Sequence, residues 1–351
     1  MYYFDKEYAK GYLKGTAMTY LKGKISPELC DDKEFIMLAV KEDGYYGLDL
    51  ASDRLRDDKD VIMEAVKSNG DAIKYASKRL QNDKDVLLAM TTKYGSFLTR
   101  VNPAILADKQ FVLKLVKNNG KNLRYVSEEL KNDEEVVLIA VKQDWLALNY
   151  LGEKLKNNRE FVLKLIKLSP YALEYVADTF KNDREIVTEA IKYSNGVALK
   201  DASEELRNDK ELVLEAIKLS KGYALDFASK ELRNDREVVL SAVKLDGRYL
   251  SDASEKLQDD TELVSIAVAQ NGEALRYASD RLRNNKKVVL TAIKNTYSFV
   301  PIDYLPIGID YMSKRLKKDP QIKRVISIRR RELNKKEKQE LKKNAEKTKK
   351  R

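Results

Sequence analysis

Hydrophobic positions along this chain follow a short pattern that keeps returning. In the stretch LRNDREVVLSAVK, Leu232 to Lys244, the residues Val238, Val239, Ala242 and Val243 fall at i, i+1, i+4 and i+5, one stripe of an amphipathic helix. A second apolar set follows the next glycine, as in Ala274, Leu275, Ala278 and Leu282. The spacing predicts two antiparallel helices per repeat, each of about ten residues and too short to be stable alone. The aspartate or asparagine of the first pattern recurs at Asp32, Asp58, Asp83, Asp108, Asp133, Asn158, Asp183, Asp209, Asp235, Asp260 and Asn285, always 25 or 26 residues apart, and again at Asp319 after 34. Such a register predicts an all-α chain, an α-solenoid or superhelix of about eleven helix-turn-helix repeats that bury a continuous core by stacking.

The polar positions suggest how each repeat is bounded. Asn234 is expected to cap the first helix with Glu237 three residues on, and the same pairing recurs as Asn82/Asp85, Asn132/Glu135, Asn157/Glu160, Asn182/Glu185 and Asn208/Glu211. Lys244 suits the negative end of the helix dipole, and Gly247 is expected to provide a left-handed stop. Glycine holds that place at Gly44, Gly70, Gly95, Gly120, Gly196, Gly222 and Gly272 too, while Trp145, which is expected to need a different turn, and Pro170 replace it. A small-residue column, Ala51, Ala76, Ala202, Ala228, Ala253 and Ala278, would let second helices approach closely. Residues 1–24 read as an N-terminal cap and 25–294 as the array. Residues 295–320 read as an irregular insertion with a capping repeat, and 321–351 as a basic helix or tail, solvated or disordered beyond Leu333.

The string Leu-Arg-Asn-Asp-Arg-Glu-Val-Val-Leu-x-Ala-Val-Lys, followed by Gly-x-x-Leu-x-x-Ala-Ser-x-x-Leu, resembles the domain-of-unknown-function family numbered 4116 over roughly Ile25 to Lys294. Two of the present repeats match one copy of that domain; Asn158, Asn285, Lys287 and the insertion after Asn295 depart from it. The resemblance implies short α-helical repeats and no agreed activity, so it assigns no catalytic residue.

Composition narrows the chemistry. The chain has no histidine, which removes triads, Cys–His dyads and histidine metal sites. Cys30 is the only cysteine, so no intrachain disulfide forms, and a reducing, cytoplasmic location is expected. No stretch reaches the length of a signal peptide's apolar segment or of a membrane span. Nothing in the residues implies a cofactor or a metal. The net charge of +11 is local: Lys314 to Arg351 holds 18 Lys/Arg against 5 Asp/Glu, which leaves the array close to neutral.

Four features could carry function. An aromatic column, Tyr75, Tyr125, Tyr150, Tyr175, Phe227 and Tyr277, sits on the second helices and is a candidate partner surface. Asp49, Arg100, Asp201 and Asp252 share that column, which argues that it is at least half exposed. A lysine column, Lys41, Lys67, Lys117, Lys142, Lys167, Lys192, Lys218, Lys244 and Lys294, is explained by helix C-termini without invoking a partner. The carboxylate pairs Glu128/Glu129, Glu134/Glu135 and Glu204/Glu205 belong to solvated turns and first helical turns, not to a desolvated acid–base site. The tail residues Arg324, Arg329, Arg330, Arg331, Lys335 and Lys336 could contact phosphates, and in a nucleus-containing host they fit an import signal. These features favour a non-enzymatic scaffold for protein or peptide partners. The alternative is a nucleic-acid-associated protein anchored by the tail. An enzyme would need a pocket with desolvated acids, for which 295–311 is the place to look.

Overall fold

The computed structural model of the chain describes residues 3–90, 95–296 and 311–349. They form two compact bodies, Met1–Ser169 and Pro170–Arg351, each built of stacked helical repeats. Apart from one isolated bridge between Phe4 and Ile25, the described residues hold no strand. The expected insertion lies largely at 297–310, outside the described residues, and so does most of the 295–311 stretch expected to hold any enzymatic pocket.

The first helix of each repeat follows its stripe. In the helix Arg236–Val243 the four predicted residues Val238, Val239, Ala242 and Val243 have no solvent exposure. The second predicted helix is different. It divides into a 3-10 turn, Gly272–Tyr277, and a single α-turn, Asp280–Arg283, with Ala278 between them in extended conformation. The Ala-Ser pair breaks it, because Ser279 turns outward to cap the α-turn by accepting from Leu282 N–H. The buried alanine column therefore lies at a chain reversal and not along a helix.

The caps also fall one residue later than predicted. Asp235, not Asn234, caps the helix by accepting from Glu237 and Val238 N–H at 2.9 and 3.1 Å. Asp133, Asn158, Asp183 and Asp209 do the same in their repeats. Asn234 instead reaches the next repeat, accepting from Ser254 Oγ at 2.7 Å. The same stitch joins Ser203 to Asn182 and Ser229 to Asn208, both at 2.5 Å, and Ser313 to Asn284 at 2.6 Å. Backbone bonds run beside it: Ser77 N–H donates to Arg56 O, Ser229 to Arg207 O and Ser254 to Arg233 O. Ser254→Ala is accordingly expected to lower stability by about 1 kcal/mol, since it removes a helix cap together with the donor to Asn234. Urea unfolding checks this, and an unchanged midpoint would contradict the stitch.

Glu237 is likewise no capping-box partner. Its carboxylate receives Lys210 of the preceding repeat at 2.8 Å, and Asp235 receives the same ammonium at 2.9 Å. This two-pronged pairing recurs from Lys33 to Asp58 and Asp60, from Lys59 to Asp83 and Asp85, from Lys109 to Asp133 and Glu135, and from Arg236 to Asp260 and Glu262. Lys6 begins the ladder on Asp32 and Glu34. Lys286 extends it to Asp319.

Four of the eight glycines of the turn serve proximity and not handedness. Gly247 has no left-handed backbone. A Cβ there would lie 2.1 Å from Ala267 O of the next repeat, and Gly44, Gly120 and Gly272 meet Ala65 O, Ala140 O and Ala292 O just as closely. Only Gly196 and Gly222, with φ of +89° and +106°, act as the left-handed stops expected of the whole column. Trp145 needs no different turn: it opens the 3-10 turn Trp145–Tyr150 behind Asp144, as Gly247 does behind Asp246. The residue 20 positions after Trp145 is Leu165 instead of alanine. The layer with this bulkier pair also holds a cleft of about 400 Å³ between the helices Glu134–Gln143 and Arg159–Leu168, lined by Leu138, Ile139, Lys142, Lys164, Lys167 and Leu168.

The tail forms one helix, Pro320–Lys349, whose Ile322 is buried.

Candidate functional site

The repeat motif uses most of its polar residues to join one repeat to the next. What remains free to vary is the edge formed by the 3-10 turns, where each repeat presents the predicted column residue and the residue before it. Tyr75, Tyr125, Tyr150, Tyr175, Phe227 and Tyr277 all lie there. They are less exposed than expected: each is only partly accessible. The residue before the column is the exposed one at Lys74, Arg124 and Arg276.

In the body Met1–Ser169 this edge forms a groove of about 630 Å³ across four successive repeats. Its lining comes from Tyr45 in the helix Gly44–Leu50, from Asp71 and Lys74 in the turn Gly70–Tyr75, from Phe97, Thr99 and Arg100 in the turn Gly95–Arg100, and from Arg124 and Tyr125 in the turn Gly120–Tyr125. Three rings and three cations thus face one space, with Asp71 the one carboxylate of the lining. Lys74 Nζ lies 3.9 Å from the centre of the Tyr45 ring and donates to its hydroxyl. Lys74 holds the Tyr45 phenol below its ordinary pKa, whereas burial, together with Tyr45 and Asp49, raises that of Tyr75. Tyr75 packs edge-on against Tyr45 with centroids 5.2 Å apart, and the Arg124 guanidinium sits 5.8 Å from the Tyr125 ring.

The groove's cations differ from those of the capping edge. There, lysine or arginine after lysine or arginine is bonded to carboxylates of the next repeat. Lys74, Arg100 and Arg124 have no carboxylate partner among the described residues. Of this site the sequence pattern brought Tyr125 and Arg100 into view. Tyr45, Phe97, Lys74 and Arg124 were missed, although the variability of the position before the column was a usable signal.

The same edge of the body Pro170–Arg351 has the opposite character. Glu174, Asp201, Asp226 and Asp252 occupy it. Burial raises the Asp201 carboxyl above its ordinary pKa against the nearby Lys200, and burial likewise raises Asp252, which accepts from Ser251 Oγ at 2.7 Å. Further on, Arg276 lies between the rings of Tyr277 and Tyr311, at 5.0 and 5.6 Å.

The lysine column is exposed at every one of its nine positions. In the tail, Arg324, Arg330, Arg331 and Lys335 are exposed, but Arg329 is engaged: it donates to Thr296 O at 3.1 Å and pairs with Glu332 at 3.0 Å. Lys336 belongs to the helix, and its side chain lies outside the described ones. One recurring position was not anticipated. Arg56 donates to Leu48 O and Asp49 O at the end of the helix Gly44–Leu50, and Gln81 and Gln258 donate to the corresponding carbonyls of their 3-10 turns. Among the described residues no group of three or more potential metal ligands comes together, and no helix is long and apolar enough to cross a membrane.

The sequence model of a family described as a domain of unknown function (DUF4116) matches the chain eight times, at residues 32–81, 58–105, 108–156, 158–207, 194–233, 209–258, 235–281 and 260–307. No curated protein and no solved structure matches it.

Proposed function

The chain belongs to the DUF4116 family, and on that premise we propose that it is a non-enzymatic helical-repeat scaffold that binds a protein partner as an extended polypeptide along its 3-10 edge. One observation carries this reading: among the described residues the capping edge repeats one ion-pair joint from repeat to repeat, whereas the 3-10 edge repeats no such joint and offers side chains that differ from repeat to repeat. Repeat arrays commonly bind through such a variable strip, because each layer can change its contact without disturbing its neighbours. Aromatic residues in partly covered positions are suited to hold a peptide backbone and its side chains at low entropic cost.

The test is affinity capture with nuclease-treated lysate, comparing the intact chain with a variant carrying Tyr125→Ser, Tyr150→Ser, Tyr175→Ser and Tyr277→Ser. A protein partner retained by the first and lost by the second, with both folded by circular dichroism, is the expected result. Retention by both would remove the 3-10 edge from the reading.

Nucleic-acid association is the second reading, supported by the exposed Arg324, Arg330, Arg331 and Lys335 on one terminal helix. It predicts binding that weakens steeply with salt and disappears on truncation after Asp319, which removes the whole helix. Binding that survives this truncation would exclude the tail as anchor.

A further inference from the structure

We infer that the groove of the first body takes an acidic, extended segment of a partner protein, with carboxylates at every third residue. The inference rests on the scaffold reading above and adds the partner's chemistry and register.

Charge complementarity is the first argument. Lys74, Arg100 and Arg124 come from three successive repeats and face one groove of about 630 Å³. They lack carboxylate partners among the described residues, in a chain whose ladder cations are matched by Asp and Glu one repeat away. Three like charges on one face repel one another, so an anionic partner that bridges them is favoured twice, by attraction and by relief of that repulsion. Arg100 and Arg124 carry planar forks that accept a carboxylate on two N–H groups.

Register follows from geometry. Packed helices lie about 8–10 Å apart, and an extended polyproline-II chain rises about 3.1 Å per residue with three residues per turn, so one repeat spans about three residues of ligand and side chains three apart share a face. Carboxylates three residues apart would meet Lys74, Arg100 and Arg124 in turn. Tyr45, Phe97 and Tyr125 line the same groove and would cover apolar residues of the segment. Asp71 sits at the Lys74 end and would disfavour a longer acidic run there.

The experiment is fluorescence anisotropy on the full chain at low salt with three labelled probes of ten units. One peptide has glutamate at every third position with alanine between, one has the same glutamates contiguous, and the third is an oligothymidylate. The spaced peptide is expected to bind best. Arg100→Ala and Arg124→Ala are each expected to weaken it about fivefold, and the triple variant with Lys74→Ala about a hundredfold. These side chains are exposed, so the variants should fold; Lys117→Ala, an equally exposed cation outside the groove, is expected to change nothing. Equal binding of the contiguous peptide would overturn the register. Binding unaffected by the triple variant, or stronger oligothymidylate binding that depends on it, would overturn the acidic-segment assignment. Neither result touches the scaffold reading, which fails only if the 3-10 edge captures no protein.

Discussion

Gly120→Ala and Gly272→Ala are each expected to cost about 3 kcal/mol, the upper end for an inserted methyl group, and to uncouple the repeats on either side. The added Cβ would lie 2.2 Å from Ala140 O in the first case and 2.1 Å from Ala292 O in the second. Neither carbonyl can rotate away. Ala140 O accepts Asp144 N–H at 2.9 Å, and Ala292 O accepts Asn295 N–H at 3.1 Å and Thr296 Oγ at 2.9 Å, so each holds its helix end together. The glycine's own N–H is also engaged across the joint, with Gly120 donating to Gln143 Oε1 and Gly272 to Asn295 O. Relief therefore requires the whole neighbouring helix to move, which would strain the stitch and the ion-pair ladder of that layer. Gly152→Ser is the contrasting case. The three atoms nearest its Cβ, at 2.2–2.3 Å, belong to the Asn132 side chain and not to backbone, and serine is what Ser254 and Ser279 place at the corresponding position. That substitution is expected to be near neutral, because the serine hydroxyl takes over the cap that Asn132 now gives Lys154 N–H and donates to the displaced Asn132. Denaturant midpoints for the three variants decide the matter. Equal losses at Gly152 and Gly120 would show that backbone proximity is not what selects glycine.

The sequence disclosed what lies within one helix and concealed what joins two. Val238, Val239, Ala242 and Val243 were legible because a stripe needs no partner to be recognised. The cap was read one residue early because Asn234 and Asp235 are both good cap formers, and only the partner Ser254, 20 residues on, tells them apart. Glu237 was assigned to a capping box for the same reason; its true partner, Lys210, lies 27 residues before it. Gly247 was read as a left-handed stop because local sequence cannot show a carbonyl arriving from the next repeat. The candidate site follows this rule. Tyr125 could be seen as part of a column, but the groove requires side chains from four repeats to be laid side by side. Which lysines and arginines lack carboxylate partners is visible only once the ladder is known.

Acid is expected to unfold the array over a narrow range below pH 4, because the ladder repeats one titrating joint. Lys210 and the N–H groups it accompanies hold Asp235 below the usual carboxylate range, and the corresponding lysines do the same first of all for Asp32, Asp108 and Asp319. At Asp58, Asp83, Asp133 and Asp209 burial pushes the carboxyl up, but the preceding lysine or arginine and the capped N–H groups outweigh it, so these also lie low. An unfolded aspartate titrates near about 3.9. Each of these groups has a lower value when folded, so the unfolded chain binds protons first as pH falls. Their stabilisation is complete above the unfolded value and is lost as pH falls through the folded ones. Asp201 and Asp252 oppose this, since burial raises both, and what they contribute is lost as pH rises through their folded values. The midpoint of urea unfolding should therefore climb slightly as pH drops from 6 towards 4 and then fall away. Asp201→Asn with Asp252→Asn should abolish the climb and leave the fall. High salt should shrink the fall, because the ladder's cations are partly exposed and screened. A midpoint that stays level to pH 3 would mean that the joints between repeats are held by packing alone, and that the ladder aspartates serve only as caps.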